Sequence, residues 1–239
     1  MAIRAPAITN PTAATVLAVD RHLPALEAHR LAPAFLRQRL AVAATMPVSH
    51  RGDAADLPQP TLTAAAVLIA LVQRSQGLTV LLTRRAQGLR SHGGQISFPG
   101  GRQDATDASA IHTALREAQE EVGLDPSVGE VLGCLPSYRT VTDYEVTPVL
   151  ALVAQPPAIW QTQPSEVQEA FEVPLAYLMN PAHHEQRAIT VQGWERRFLA
   201  MPWVDTDVES RPEDGNAGRY FIWGATAAML RNLYEVLSQ

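Results

Sequence analysis

Apolar residues follow two different rhythms along this chain. Over residues 63–72 and 78–83 they run almost unbroken and are often β-branched, with a polar Gln73-Arg74-Ser75-Gln76-Gly77 between them, the pattern of a hairpin in a central sheet. Residues 128–135 and 147–153 supply further strands, and residues 95–98 a short one that delivers Gly100-Gly101. Between these runs the period lengthens: at about 100° per residue, Ile111, Ala114, Leu115, Ala118 and Val122 share one stripe, which predicts a helix with a core face. Asp107 or Ser109 is placed to cap that helix, and Gly123 with Pro126 ends it. Ser165 opens a Ser-X-X-Gln capping box that predicts a short helix, and residues 225–237 carry Met229, Leu230, Leu233, Val236 and Leu237 at helical spacing. Ahead of all this, residues 23–42 read as one or two helices broken near Pro33, and residues 47–60 as a linker. The expected organisation is a helical extension and linker at 1–60, followed by one α/β domain at 61–239 with a mixed sheet held between helices.

Composition narrows the class. At 239 residues and 46% hydrophobic, the chain can bury one substantial core and is too short for more than two domains. Its net charge of −5 argues against bulk nucleic-acid binding but allows a local basic pocket. Cys134 is the only cysteine, so an internal disulfide is excluded, and its apolar neighbours mark it as a small buried hydrophobe. No apolar run approaches the length of a membrane span, and Pro6, Asn10, Pro11 and Asp20 interrupt any leader-like stretch, so a cytoplasmic location is the expectation.

Charge patterning supplies the candidate chemistry. Glu117, Glu120 and Glu121 crowd beside the apolar stripe, where like charges three and four apart cost roughly 0.2–0.5 kcal/mol per pair. A bound divalent cation would compensate them; a solvated acidic helix end is the plainer reading. Context favours the cation: residues 57–103 hold no acid at all, yet carry Arg74, Arg84, Arg85, Arg90 and Arg102 with His92. Guanidinium forks suit phosphate oxygens and carboxylates suit Mg²⁺ or Mn²⁺, so the juxtaposition points to metal-dependent chemistry on a di- or polyphosphate. Glu166 and Glu169, on one face of the short helix expected there, are candidates for a remote base or further ligand beside an ordinary solvated face. The His183-His184-Glu185 run reads as surface polarity in a loop, and Tyr138 and Tyr144 as either adenine-stacking or half-buried rings.

At these residues the chain resembles the Nudix hydrolases. Arg116, Glu117, Glu120, Glu121, Gly123 and Leu124 meet the second half of that family's box. The first half departs from it: counting back from Arg116 puts Arg102 and Ala108 in the glycine and glutamate positions, whereas counting forward from Gly101 puts Asp107 in the glutamate position with one extra residue following. That stretch is similar to the coenzyme A pyrophosphatase branch, as is the ungapped run Leu81-Leu82-Thr83-Arg84-Arg85-Ala86, Arg90, Gly94 and Phe98-Pro99-Gly100-Gly101. The resemblance covers roughly residues 62–237 and implies a Nudix α/β/α sandwich. It also implies Glu120 and Glu121 as metal ligands, Glu117 as a ligand or a base, Arg116 as the residue that positions them, and a carbonyl of Gly100 or Gly101 in the Mg²⁺ or Mn²⁺ shell. Arg84, Arg85, Arg90, Gly100 and Gly101 are then expected to face substrate. The implied reaction is hydrolysis of the phosphoanhydride of coenzyme A or its thioesters. The alternatives are another nucleoside diphosphate derivative such as ADP-ribose or NADH, and a non-catalytic nucleotide-binding module. The partners expected are a small-molecule substrate and at most a second copy of the chain.

Overall fold

The computed structural model describes residues 6–53, 62–88, 93–205 and 218–239. Its elements in order are β1 (Thr15–Val19), α1 (Pro33–Leu40), β2 (Thr63–Arg74), β3 (Gly77–Arg85), β4 (Ile96–Ser97), β5 (Gly100–Arg102) and α2 (Ala110–Val122). There follow β6 (Gly129–Cys134), β7 (Tyr138–Arg139), β8 (Tyr144–Val153), β9 (Val167–Pro174) and α3 (Leu175–Leu178). β10 (Glu185–Val191), β11 (Trp194–Val204), β12 (Arg219–Trp223) and α4 (Gly224–Ser238) complete the chain.

β2 sits at the centre of the larger sheet, parallel to β8 along its length and antiparallel to β3 and β5 at opposite ends of its other edge. Alternation explains its unbroken apolar sequence. Ala66, Leu68, Ala70 and Val72 face one core with Ala114, Ala118 and Val122 of α2, while Ala65, Ile69 and Leu71 face another with Leu36 and Leu40 of α1 and Leu230, Leu233 and Leu237 of α4. Both faces are therefore covered, giving a mixed sheet between helices. Each fully buried leucine contributes roughly 1.5–3 kcal/mol.

Several expectations change. The stretch opened by Ser165 is a turn followed by β9, because Val167, Phe171 and Val173 bury at strand period while β9 pairs with β3 along its length. Glu166 and Glu169 thus lie on a turn and a strand rather than on a helix face. Ile111 is exposed, so the core stripe of α2 begins at Ala114. The reading of residues 1–60 as helical is incomplete. A 3-10 turn (Ala28–Leu31) and α1, with Pro33 in its first turn, are joined by β1, which pairs with β10 in a second sheet ordered β1-β10-β11-β12. The first part of the expected linker is also tied down: Tyr138, buried in the core, donates its hydroxyl hydrogen to Asp53 at 2.7 Å, which removes its ring from any stacking role. Residues 54–60 of that linker lie outside the described residues. Among the described residues no helix is long and apolar enough to cross a membrane.

His184, read from sequence as surface polarity, is fully buried. Its Nε2 donates to the Leu178 carbonyl at 2.7 Å, and its Nδ1 accepts from Arg231 of α4 at 3.2 Å; Arg231 also pairs with Asp20 at 2.9 Å. Burial, set against that carbonyl and reinforced by Arg231, pushes its pKa down to about 4 from 6.5. The unfolded chain therefore binds the extra proton first, and the stability present above about pH 6.5 drains away as pH falls towards 4, by about 3 kcal/mol. Urea unfolding at pH 7 and pH 4.5 should show this loss in the parent chain and a clearly smaller one in His184→Gln; equal losses would exclude His184 as its source.

Candidate active site at the α2 glutamates

α2 is built to hold its carboxylates still. Ser109 caps its start, the Oγ accepting from the His112 N–H at 3.2 Å, and Gly123 closes it at φ 69°, a left-handed conformation that glycine adopts without strain. Asp107, the alternative cap, does something else. Its buried carboxylate accepts from Arg116 Nε and Nη2 at 3.0 and 2.8 Å, from Thr113 Oγ1 at 3.0 Å and from the Asp104 N–H at 2.9 Å. The Arg116 bonds, followed by that backbone N–H, hold Asp107 well below the usual carboxylate range, and Asp107 raises the guanidinium in return. Arg116 then reaches Glu117 at 3.0 Å, Glu120 at 3.2 Å and the Arg102 carbonyl at 3.2 Å.

The three glutamates occupy different environments. Glu120 is largely exposed, Glu117 is half-buried and Glu121 is 3% exposed. Glu121 accepts from the Gly100 N–H at 3.2 Å and lies 3.8 Å from Arg85. Burial outweighs both contacts and pushes its pKa up to about 7; burial also raises Glu117 against the pull of Arg116, and the charge of Glu166 adds to both. Gly100 and Gly101 allow this approach. A Cβ on Gly101 would meet the Glu117 carboxylate at 2.5 Å, and one on Gly100 would strike the Ala66 carbonyl.

Strand alternation separates the two arginines of β3. Arg85 faces the glutamates, whereas Arg84 lies on the other face, over the Tyr220 ring at 5.1 Å and 3.5 Å from Glu169. Arg90 and His92 lie outside the described residues. Glu166 stands near the glutamates, held by the bond from the Ala86 N–H to its carbonyl at 2.8 Å, and Glu169 is turned away to accept from the Tyr220 hydroxyl at 2.7 Å. Thr113 and the pairing of Asp107 with Arg116 went unread in the sequence: Thr113 lies three residues before Arg116 on α2, but Asp107 sits in the turn ahead of the helix, where helical spacing gives no signal. Cys134 is half-buried, and burial raises its thiol pKa, as for an inert packing residue.

The NUDIX domain profile matches residues 62–192, spanning β2 to the end of β10 and enclosing α2. The chain belongs to the Nudix family. Relatives named Uncharacterized Nudix hydrolase NudL, from Salmonella paratyphi B and Salmonella newport, are each 43% identical over 171 residues, which is 71% of this chain and 80% of theirs. A solved Nudix hydrolase from M. smegmatis, RenU, is 24% identical with a TM-score of 0.41, over 47% of this chain and 71% of that one. As a Nudix hydrolase the protein is an enzyme that acts on a phosphoanhydride, and enzymes of this family generally depend on a divalent metal. Among the described residues no three acidic, histidine or cysteine side chains already form a metal cluster. The donor set nevertheless fits a hard cation: Glu117 stands against Gly101 and Glu121 against the Gly100 N–H, two carboxylates held at the cost of raised pKa values that a cation would offset.

Glu121→Gln separates function from stability. A carboxylate whose folded pKa is raised weakens the fold as pH climbs from about 4.5 through about 7, so in the metal-free protein at pH 8 the variant should be more stable by up to about 3 kcal/mol. Turnover should fall about 100-fold or more. Chelator-treated protein followed by thermal melting at pH 4 and pH 8 is the check; a variant that is less stable at pH 8 would make Glu121 a structural residue.

Proposed function

We propose that the protein hydrolyses the phosphoanhydride of coenzyme A or its thioesters, releasing 3′,5′-ADP and 4′-phosphopantetheine or its acyl derivative. The observation that carries this reading is the ungapped run from Leu81 to Gly101 feeding directly into the α2 glutamates, with Arg85 of that run 3.8 Å from Glu121. In this reading Glu120 and Glu121, with the Gly101 carbonyl, hold Mg²⁺ or Mn²⁺, and Glu117 is either a third ligand or the base that orients the attacking water. The cation, when bound, polarises the phosphoanhydride and stabilises the departing phosphate. Arg116, anchored by Asp107, keeps the glutamates in register. Arg85 offers its guanidinium to phosphate oxygens, either of the diphosphate or of the ribose 3′-phosphate. As the water oxygen bonds to phosphorus and the bridging P–O bond breaks, the water's proton passes to Glu117 or Glu166, the partly buried or neighbouring carboxylates that suit an acceptor.

Mass spectrometry of products from coenzyme A, ADP-ribose, NADH and nucleoside triphosphates with Mg²⁺ or Mn²⁺ tests the reading. Coenzyme A should be preferred and excess chelator should stop turnover; a clear preference for ADP-ribose, or turnover that persists in chelator, would overturn it. A recognition role for Arg85 predicts that Arg85→Ala narrows the preference for coenzyme A over dephospho-coenzyme A by about tenfold, the scale of one charge-assisted hydrogen bond. Equal losses on both substrates would leave Arg85 with the diphosphate.

A further inference from the structure

The segment between β8 and β9 closes the far end of the catalytic helix. Its Gln161 and Gln163 N–H groups donate to the Val122 and Glu121 carbonyls at 3.2 and 3.0 Å, partnering two of the acceptors that α2 leaves open at its C-terminus. Three residues later it delivers Glu166, whose charge reaches both Glu117 and Glu121. Something must fix this segment, because it has no regular structure of its own. That anchor is Glu172 of β9. Its carboxylate accepts from Trp160 Nε1 at 2.7 Å, from Arg74 at the end of β2 at 2.6 and 3.0 Å, and from Thr79 of β3 at 2.6 Å. Arg74 also donates to the Pro157 carbonyl at 3.2 Å, so the segment is held at two points by one ion pair. The Trp160 ring meanwhile packs against the core beneath α2.

We propose that Glu172 and Trp160 are positioning residues for the glutamate site: through the 154–166 segment they fix the last turn of α2, and with it the Glu121 side chain, and they set where Glu166 stands. This rests on the reading that the α2 glutamates carry the reaction. Neither residue lies in the box nor in the run from Leu81 to Gly101, and neither touches a box glutamate. Their influence runs through backbone hydrogen bonds.

The test uses the whole protein and two conservative variants. Trp160→Phe keeps the apolar ring and removes only the donor; Glu172→Gln keeps the shape and removes the charge that holds Arg74. Amide hydrogen exchange and steady-state kinetics are measured on both, beside Glu121→Gln and a remote core variant, Leu233→Ala, compared at a temperature where its fraction folded equals theirs. Exchange at Gln161 and Gln163 should quicken about tenfold while protection in β2 and β8 is kept. The kcat should fall about tenfold with KM within about twofold, as expected for displaced reacting groups. Wild-type exchange and kcat in both variants would overturn the positioning role, as would an equal loss of kcat in Leu233→Ala. Full turnover by Glu121→Gln would instead remove the site reading, and this proposal with it.

Discussion

The contact on which the site depends is the ion pair of Asp107 with Arg116. A guanidinium next to three glutamates would, left alone, choose among them; bound at two points by a buried carboxylate it has a fixed direction. The remaining faces of Arg116 then decide where Glu117 and Glu120 point, and the Arg102 carbonyl ties the same group to β5. Thr113 and the Asp104 N–H satisfy the rest of Asp107, so its carboxylate is buried without an unmet acceptor while Arg116 stays partly exposed. A desolvated pair of this kind adds little net stability, and its two-point contact gives Arg116 one direction beside mutually repelling carboxylates.

The central sheet supplies the rest by being covered on both sides. β2 aligns with β8 over ten residues and carries β5 on its other edge, bringing Gly100 and Gly101 beneath the C-terminal half of α2. Because side chains alternate, the face that packs α2 also receives Arg85, while the opposite face receives Arg84, Tyr220 and the core shared with α1 and α4. One strand thus divides two neighbouring arginines between separate environments, and only one of them meets the glutamates.

Long, strongly periodic segments were legible in the sequence for physical reasons. β2, β3, β8, α2 and α4 each bury a continuous face, and burial leaves a period in the sequence. The glutamates stood out through their spacing along α2, and Gly100-Gly101 through a likeness to a family motif; the structure brings the two sets together. What escaped were features set by distant partners. Ser165 opens a capping-box pattern that the pairing of β9 with β3 overrides, and β1 is a strand only because β10 lies beside it. The hairpin of β10 and β11 does leave a local mark: Gln192 and Gly193 turn at φ 50° and 82°, the two positive values a tight hairpin demands. His184 looked like surface polarity because no local signal says that Arg231, some fifty residues on, will supply its partner. The one-residue stretch before α2 made the role of Asp107 ambiguous in sequence, and its contact with Arg116 places it where a carboxylate partner is needed.

If the Asp107 pair organises the carboxylates for a cation, disturbing it should be felt in metal binding before anything else. Titrating Mn²⁺ into the substrate-free protein and following the free ion by electron paramagnetic resonance measures this directly, with circular dichroism reporting that the fold is kept. The account predicts that Asp107→Asn, folded as the parent, binds Mn²⁺ about tenfold more weakly, the usual scale for loss of a residue that orients ligands. A folded variant with the parent's affinity would contradict it.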